Sequence, residues 1–421
     1  MPVPELRYPA DPSGSGESRD GKGWGAVALF FLANMFFGAG LFFHAFLYNF
    51  YLQGLGHDEG VMGLAAAAIS AGGLAALIPA GLAVDRLGVK GTYMMAALTA
   101  TAGLAAGALV EGPVPIFAAA AVTGAGAAGF RVAMGPALMR LTGPGIRARA
   151  FSWNTAILVA SGAGWTAAAG AVSAWFLPLL QNDPVSGHRV ALLVGALATL
   201  SAAALAPLAL RLGSPPGRPA TAPGPTPRGV QRLVIPRELF LIIAVVGIFW
   251  TAGALPLSFF NIYFSREHGL SIERIGLILS VGQILTAVAV FVSGEGAARR
   301  GPRRMLLVWM LMFPPAIWAL ALAQDLAPAM GFYILQAFAL PAVYPLVDQI
   351  LLERAMPNQH GAVSSWRNLA VEGSGLIGAG VGGYLLQASS FQGLFVLAGV
   401  VALGAGVAAI LLFGSPGSKA T

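Results

Sequence analysis

Apolar residues in this chain gather into long unbroken runs separated by short polar segments. Twelve runs of about 20 residues or more stand at 26–51, 61–83, 91–110, 115–139, 151–179, 190–212, 239–264, 274–297, 304–323, 328–352, 361–387 and 391–413. Roughly 20 residues of helix cross a hydrocarbon core about 30 Å thick. The runs are continuously apolar, not alternating, which argues against barrel strands and for helices, whose backbone groups satisfy one another in lipid. The expected fold class is an all-α polytopic membrane protein with 12 transmembrane helices, embedded in a lipid bilayer.

The polar segments divide these runs into two sets. Residues 213–228 carry six prolines in sixteen positions, which can neither continue a helix nor build a core. The expected organisation is a disordered tail over 1–24, a six-helix bundle over 25–212, a Pro-rich linker over 213–238, a second six-helix bundle over 239–413 and a tail over 414–421. The two sets repeat. A shift of 213 pairs Gly56 with Gly269, Gly63-Leu64 with Gly276-Leu277, Gly81 with Gly294, Gly88 with Gly301, Ser152-Trp153 with Ser365-Trp366, Ser161-Gly162 with Ser374-Gly375 and Gly170 with Gly383. Tyr48-Asn49-Phe50-Tyr51 pairs with Phe260-Asn261-Ile262-Tyr263 at a shift of 212. Two bundles related by a pseudo-two-fold axis follow, an arrangement in which transporters bind their solute at the repeat interface.

Composition agrees with a membrane setting: 57% of residues are hydrophobic and 10% charged, against roughly 25% charged in soluble domains. The net charge of +7 is explained by where the charges lie. Of the 24 Lys and Arg, 19 fall in the two tails and the loops on the side of Gly81–Lys90, and three in the opposite loops. By the positive-inside rule both termini and that loop are cytoplasmic, and the basic balance reflects topology with no nucleic-acid partner. Arg outnumbers Lys 21 to 3, and Ala and Gly abound, which points to a GC-rich bacterial source and hence to its cytoplasmic (inner) membrane. The first 24 residues lack the basic, apolar, small-residue order of a cleaved signal.

The segment Gly81-Leu82-Ala83-Val84-Asp85-Arg86-Leu87-Gly88-Val89-Lys90 is a polar knot between two apolar runs. It resembles the signature loop between the second and third helices of the major facilitator superfamily, Gly-x-x-x-Asp-(Arg/Lys)-x-Gly-(Arg/Lys)-(Arg/Lys). Gly81, Asp85, Arg86, Gly88 and Lys90 match and Val89 departs. A weaker copy stands at Gly294-x-x-x-Ala298-Arg299-x-Gly301-Pro302-Arg303. The resemblance covers about 26–413 and implies a secondary transporter working by alternating access. It also implies that Asp85 latches the two halves near Gly361–Ser365, with Arg140 as a further cationic partner. In the second copy Ala298 replaces the aspartate and Glu353 stands at the equivalent of Arg140, so Glu353 is expected to pair with Arg299 or Arg303.

Charges at membrane depth cost at least ~2.5 kcal/mol each and are functional candidates by default. Arg131 in the fourth run and Glu372 in the eleventh stand near the middle, with Asp348 and Arg367 closer to the cytoplasmic end. The resemblance implies that the first, fourth, seventh and tenth helices line the central cavity. Arg131, Asn34, His44, Asn49, Trp250, Asn261, Gln336 and Tyr344 are then candidate substrate-binding residues. Glu372 and Asp348 are candidate proton carriers, since desolvation raises a carboxyl pKa whereas a close arginine lowers it. The alternatives are structural: Arg131 buried as the partner of Glu372 or Asp348, and Glu372 locked to Arg367. A Gly-x-Gly-x-Ala stretch resembling the family's fourth-helix motif lies at 124–128, but Ala120 stands where that motif has arginine, so no role passes to Arg131 through it. The fifth run lacks the proline of the family's antiporter motif, which leaves direction open.

Other classes find no support. No cysteine is present, five histidines are scattered, and no His-Glu-x-x-His, Gly-x-Ser-x-Gly or Walker loop occurs. An enzyme, a metal site, a cofactor or a nucleotide-driven pump is not expected, and no obligate protein partner is implied. The remaining alternatives are a non-transporting sensor or scaffold of the same fold and, within transport, drug-like efflux against uptake of a polar or anionic small molecule.

Overall fold

The computed structural model describes residues 20–213, 235–356 and 359–414. Most of both expected tails and of the linker, with Pro357, lies outside the described residues. Among them twelve α-helices and one 3-10 turn occur and no strand. The helices are α1 (Asp20–Gly54), α2 (Glu59–Leu109), α3 (Pro113–Leu141), α4 (Pro144–Phe176), α5 (Pro184–Leu212), α6 (Arg237–Leu257), α7 (Phe260–His268), α8 (Ile272–Arg300), α9 (Pro302–Leu322), α10 (Leu326–Arg354), α11 (His360–Ala388) and α12 (Phe391–Gly414). Two boundaries correct the sequence expectation: α1 already starts at Asp20, inside the expected tail, and α6 at Arg237, inside the expected linker.

Eleven of these helices are long and apolar enough to cross a membrane. They account for all twelve apolar runs, because α2 has 51 residues and is broken at Gly88, where φ is +71°. At ~1.5 Å per residue it would reach about 76 Å, more than two bilayer cores, so it supplies the second and third spans. The seventh run is divided between α6 and the short α7. Four glycines have positive φ: Gly56, Gly88, Gly269 and Gly301. They form two repeat-related pairs, so the same turn chemistry closes the same spans in both halves.

Within the first half α1 packs on α4 and α5, and α2 on α3 and α5; within the second, α6 packs on α11 and α12, and α9 on α10 and α12. The halves meet along α2–α11 and α4–α8. Small residues make these approaches possible. A Cβ on Gly63 of α2 would stand 2.7 Å from the Gly383 Cα of α11, and one on Gly170 of α4 would stand 3.1 Å from the Ile272 carbonyl of α8. Gly63/Gly383 and Gly276/Gly170 are repeat mates, so the two seams are one contact built twice.

Candidate functional site

A cavity of ≈ 500 Å³ lies between the halves. Phe42, His44, Phe46, Tyr48 and Asn49 of α1 form one wall, with Thr123 and Arg131 of α3, Thr166 of α4, Phe260 of α7, Gln283 of α8 and Tyr333 of α10 around it. Arg131 stands ten residues from the end of α3 and Glu372 twelve residues into α11. Both are therefore about 15–18 Å from the end that carries Asp85, close to mid-bilayer. The Arg131 guanidinium donates to the Glu372 carboxylate, an ion pair joining the first half to the second. The arginine side chain is 48% exposed and the glutamate 16%, so the guanidinium is the member that faces the cavity. Gly73 of α2 lies beside the pair; a Cβ there would come within 3.1 Å of Glu372 Oε2.

Of the other residues expected to line the cavity, His44 and Asn49 do. Asn34 does not: it is fully buried inside the first half, donating to Asn154 Oδ1 at 2.5 Å and accepting from Tyr93 at 2.7 Å. Asn261 faces Asn49 across the pseudo-axis. Asn49 Nδ2 donates to Asn261 Oδ1 at 3.2 Å and to the Ser258 carbonyl, while Asn261 Nδ2 donates to the Phe46 carbonyl at 2.7 Å. Ser258 and Phe46 are themselves 212 apart, so each asparagine holds the carbonyl three residues before the other. Trp250 and Tyr344 stack at 4.9 Å, and the Arg367 guanidinium lies over both rings at 5.6 and 5.5 Å. Gln336 is buried in α10. Arg367 pairs with Asp348 at 3.0 Å, and this corrects the alternative that it locks Glu372: five residues apart on a helix the two point to different sides, and each finds a partner on another helix.

The polar bonds that join the halves run from mid-bilayer to the end opposite Asp85. There Glu59 pairs with Arg266, and Asp58 uses one oxygen to cap α2 through Val61 N (2.9 Å) and the other to accept from Gln387 at 2.7 Å. Gln283 donates to Thr166 at 2.7 Å and Ser280 to the Ala163 carbonyl at 2.8 Å. At the other end Asp85 and Arg140 are exposed and form no ion pair with each other. The contact expected of Asp85 with Arg140 is thus not formed here, and both side chains are exposed. Gly81 and Gly294 have open space around them, Arg86 is exposed, and Lys90 is partly exposed. Of the two partners expected for Glu353, Arg299 pairs with Glu295 at 3.9 Å, while Arg303 lines one pocket with Glu353, whose carboxylate accepts from Gln349 at 2.7 Å. For Arg299 a neighbour four residues away on the same helix meets the charge without crossing between helices. Asp58, Glu59, Arg266 and Gln387 were not foreseen from sequence, because only tertiary packing brings these loop-edge charges together. Gln283 could have been found: it is the repeat mate of Ser70, polar in both copies.

The sequence profile of the Major Facilitator Superfamily matches residues 30–308 and again 239–421. The chain belongs to the major facilitator superfamily. No curated protein is similar enough in sequence to match it. Among solved structures it resembles a bacterial homologue of the lysosomal transporter Spinster in an inward-facing, occupied conformation, at 15% identity and TM-score 0.72 over 93% of this chain and 96% of that one. It also resembles a bacterial homologue of the iron transporter ferroportin in an inward-facing state (17% identity, TM-score 0.74, 93% and 99% covered). The nucleoside transporter NupG is similar as well (13% identity, TM-score 0.73, 93% and 100% covered). At these identities the likeness is one of fold, and the fold is that of a transporter, not an enzyme.

Proposed function

We propose that this major facilitator protein is a proton-coupled secondary transporter that moves a small polar or anionic solute by alternating access. The reading rests on the Arg131–Glu372 ion pair, the bond that joins the two halves at mid-bilayer beside the cavity. Arg131 holds the anionic part of the solute. An anion arriving there competes with Glu372 for the guanidinium, and Glu372 is the proton carrier of this reading. Separation of the halves then carries the solute and the proton state to the other face. The positive-inside distribution puts the Asp85 end, here the open one, at the cytoplasm. The related structures carry names of quite different solutes, so the fold does not choose among them and the choice rests on this cavity.

Two measurements test the reading. The natural chain has no cysteine, so single cysteines introduced at Ser365 and Gln387 report accessibility at either end in sealed vesicles. A transporter exposes both in turn, and a disulfide engineered between positions 58 and 387 (D58C with Q387C) leaves the Gln387 end shut. A chain fixed in one state would be a sensor or scaffold. The second measurement is proton exchange by purified protein on addition of solutes, comparing wild type with Glu372→Gln and Arg131→Ala. A solute that shifts about one proton per chain in wild type and none in Glu372→Gln supports the coupling. Solute binding indifferent to both substitutions overturns it. Phe42, Phe46 and Phe260 in the cavity wall also fit an efflux substrate with an apolar body, for which Arg131→Ala would leave binding intact.

A further inference from the structure

The ends of α8, α9, α10 and α12 enclose a second pocket, of ≈ 460 Å³, at the Asp85 end and away from the central cavity. We propose that it binds the anionic phosphate headgroup of a membrane phospholipid, whose acyl chains run down the outer face of α9 and α12. Three exposed arginines line it, Arg300, Arg303 and Arg304, with Leu307, Ile410 and Phe413 forming its lower wall. A single residue, Gly301 with φ +84°, joins α8 to α9 and turns the chain sharply enough to bring Arg300 beside Arg303 and Arg304. The latter two stand in the first turn of α9, where backbone N–H groups have no helical acceptor and the helix dipole is positive. Glu353 also lines the pocket and accepts from Gln349, and with one carboxylate among three arginines the lining is net positive.

The apolar wall decides between a lipid and a free anion. Phe413 is held there by the Arg354 guanidinium, 5.5 Å from its ring. The same two helices, which pack on each other, expose apolar side chains next to the pocket's lining in sequence, Val308 and Leu311 on α9 and Val407 and Leu411 on α12, a surface suited to hydrocarbon. Basic pockets between membrane helices with such a floor suit anionic headgroups. The repeat supplies an internal control. The positions of Arg300, Arg303 and Arg304 are Leu87, Lys90 and Gly91 in the first half, and Glu353 is Arg140. The fold therefore builds this turn without three arginines, and the cluster belongs to the second half alone.

The test is a lipid titration of the full-length protein in neutral detergent, read by native mass spectrometry. Phosphatidylglycerol should be retained well above phosphatidylcholine. Each of Arg300→Gln, Arg303→Gln and Arg304→Gln should weaken phosphatidylglycerol about fivefold, and the triple substitution about a hundredfold, from ~1 kcal/mol per cationic contact. Glu353→Gln should strengthen it. Arg211→Gln, a charge lost at the same end but outside the pocket, should leave it within about twofold, the level expected of a screened distant charge. Melting of each variant without lipid separates lost binding from lost fold, and the single substitutions suffice if the triple one unfolds. Equal retention of phosphatidylcholine, or undiminished phosphatidylglycerol binding in folded arginine variants, overturns the proposal. So does displacement by inorganic phosphate at matching concentration, which would make the pocket a free-anion site.

Discussion

At mid-bilayer neither Arg131 nor Glu372 can be removed without consequence for the other. Losing one leaves a lone charge at a depth where it costs at least ~2.5 kcal/mol by insertion scales, reduced here because Arg131 is half exposed to the cavity. Arg131→Leu should lower stability in detergent by about 1–2 kcal/mol, and Glu372→Leu by a similar amount. The double substitution should cost less than the two together, with a coupling of about 1 kcal/mol or more in a thermal-denaturation cycle. Additive losses would mean the pair is not formed in solution. Both residues stood out in the sequence as charges inside apolar runs, and their partnership was there one alternative among several. They are 241 positions apart, and Asp348 and Arg367 offered equally good partners until the helices were packed.

Elements in this molecule are positioned by residues that lack side chains. Gly88 breaks α2 with φ +71° and ψ 169°, a region essentially reserved for glycine that another residue adopts at a cost of about 1–3 kcal/mol. Gly88→Ala should lower the melting temperature by a few degrees, in line with that cost. Such a drop without change at Gly81→Ala, which has open space around it, would separate backbone strain from packing. Gly63 serves differently, by letting α2 lie against Gly383 of α11. Gly63→Val should part this seam and raise maleimide labelling of a cysteine introduced at Gln387. Unchanged labelling would show that the seam yields elsewhere.

For the whole molecule, one end is shut and the other open, and different devices guard them. The shut end is closed by Glu59–Arg266, by Asp58–Gln387 and by the reciprocal Asn49/Asn261 contact on the pseudo-axis. Charge reversal at Glu59→Arg should open it, read as faster modification of a cysteine introduced at Gln387, and adding Arg266→Glu should close it again. Failure of the second reversal to restore protection would reduce the ion pair to a bystander. At the opposite end Asp85 and Arg140 stand exposed and are not paired with each other. The scaffold is symmetric and the chemistry is not. Arg131 is the repeat mate of Tyr344, so the charge pair is placed on one side of a two-fold frame.

Twelve spans, the division into halves, the repeat and the glycine turns were determined by the sequence itself. Each depends on local chemistry: apolar length against bilayer thickness, proline against helix, and glycine where φ must be positive. The tertiary structure alone decided which charges meet. Arg131 took Glu372, Arg367 took Asp348 beside the Trp250–Tyr344 stack, and Glu59 took Arg266, while Asn34 left the cavity for the interior of the first half. Pairing of this kind depends on how far apart helices stand and how they are rotated about their axes. Those quantities are set by the packing of all the helices together and leave no trace in the spacing of residues along any one of them.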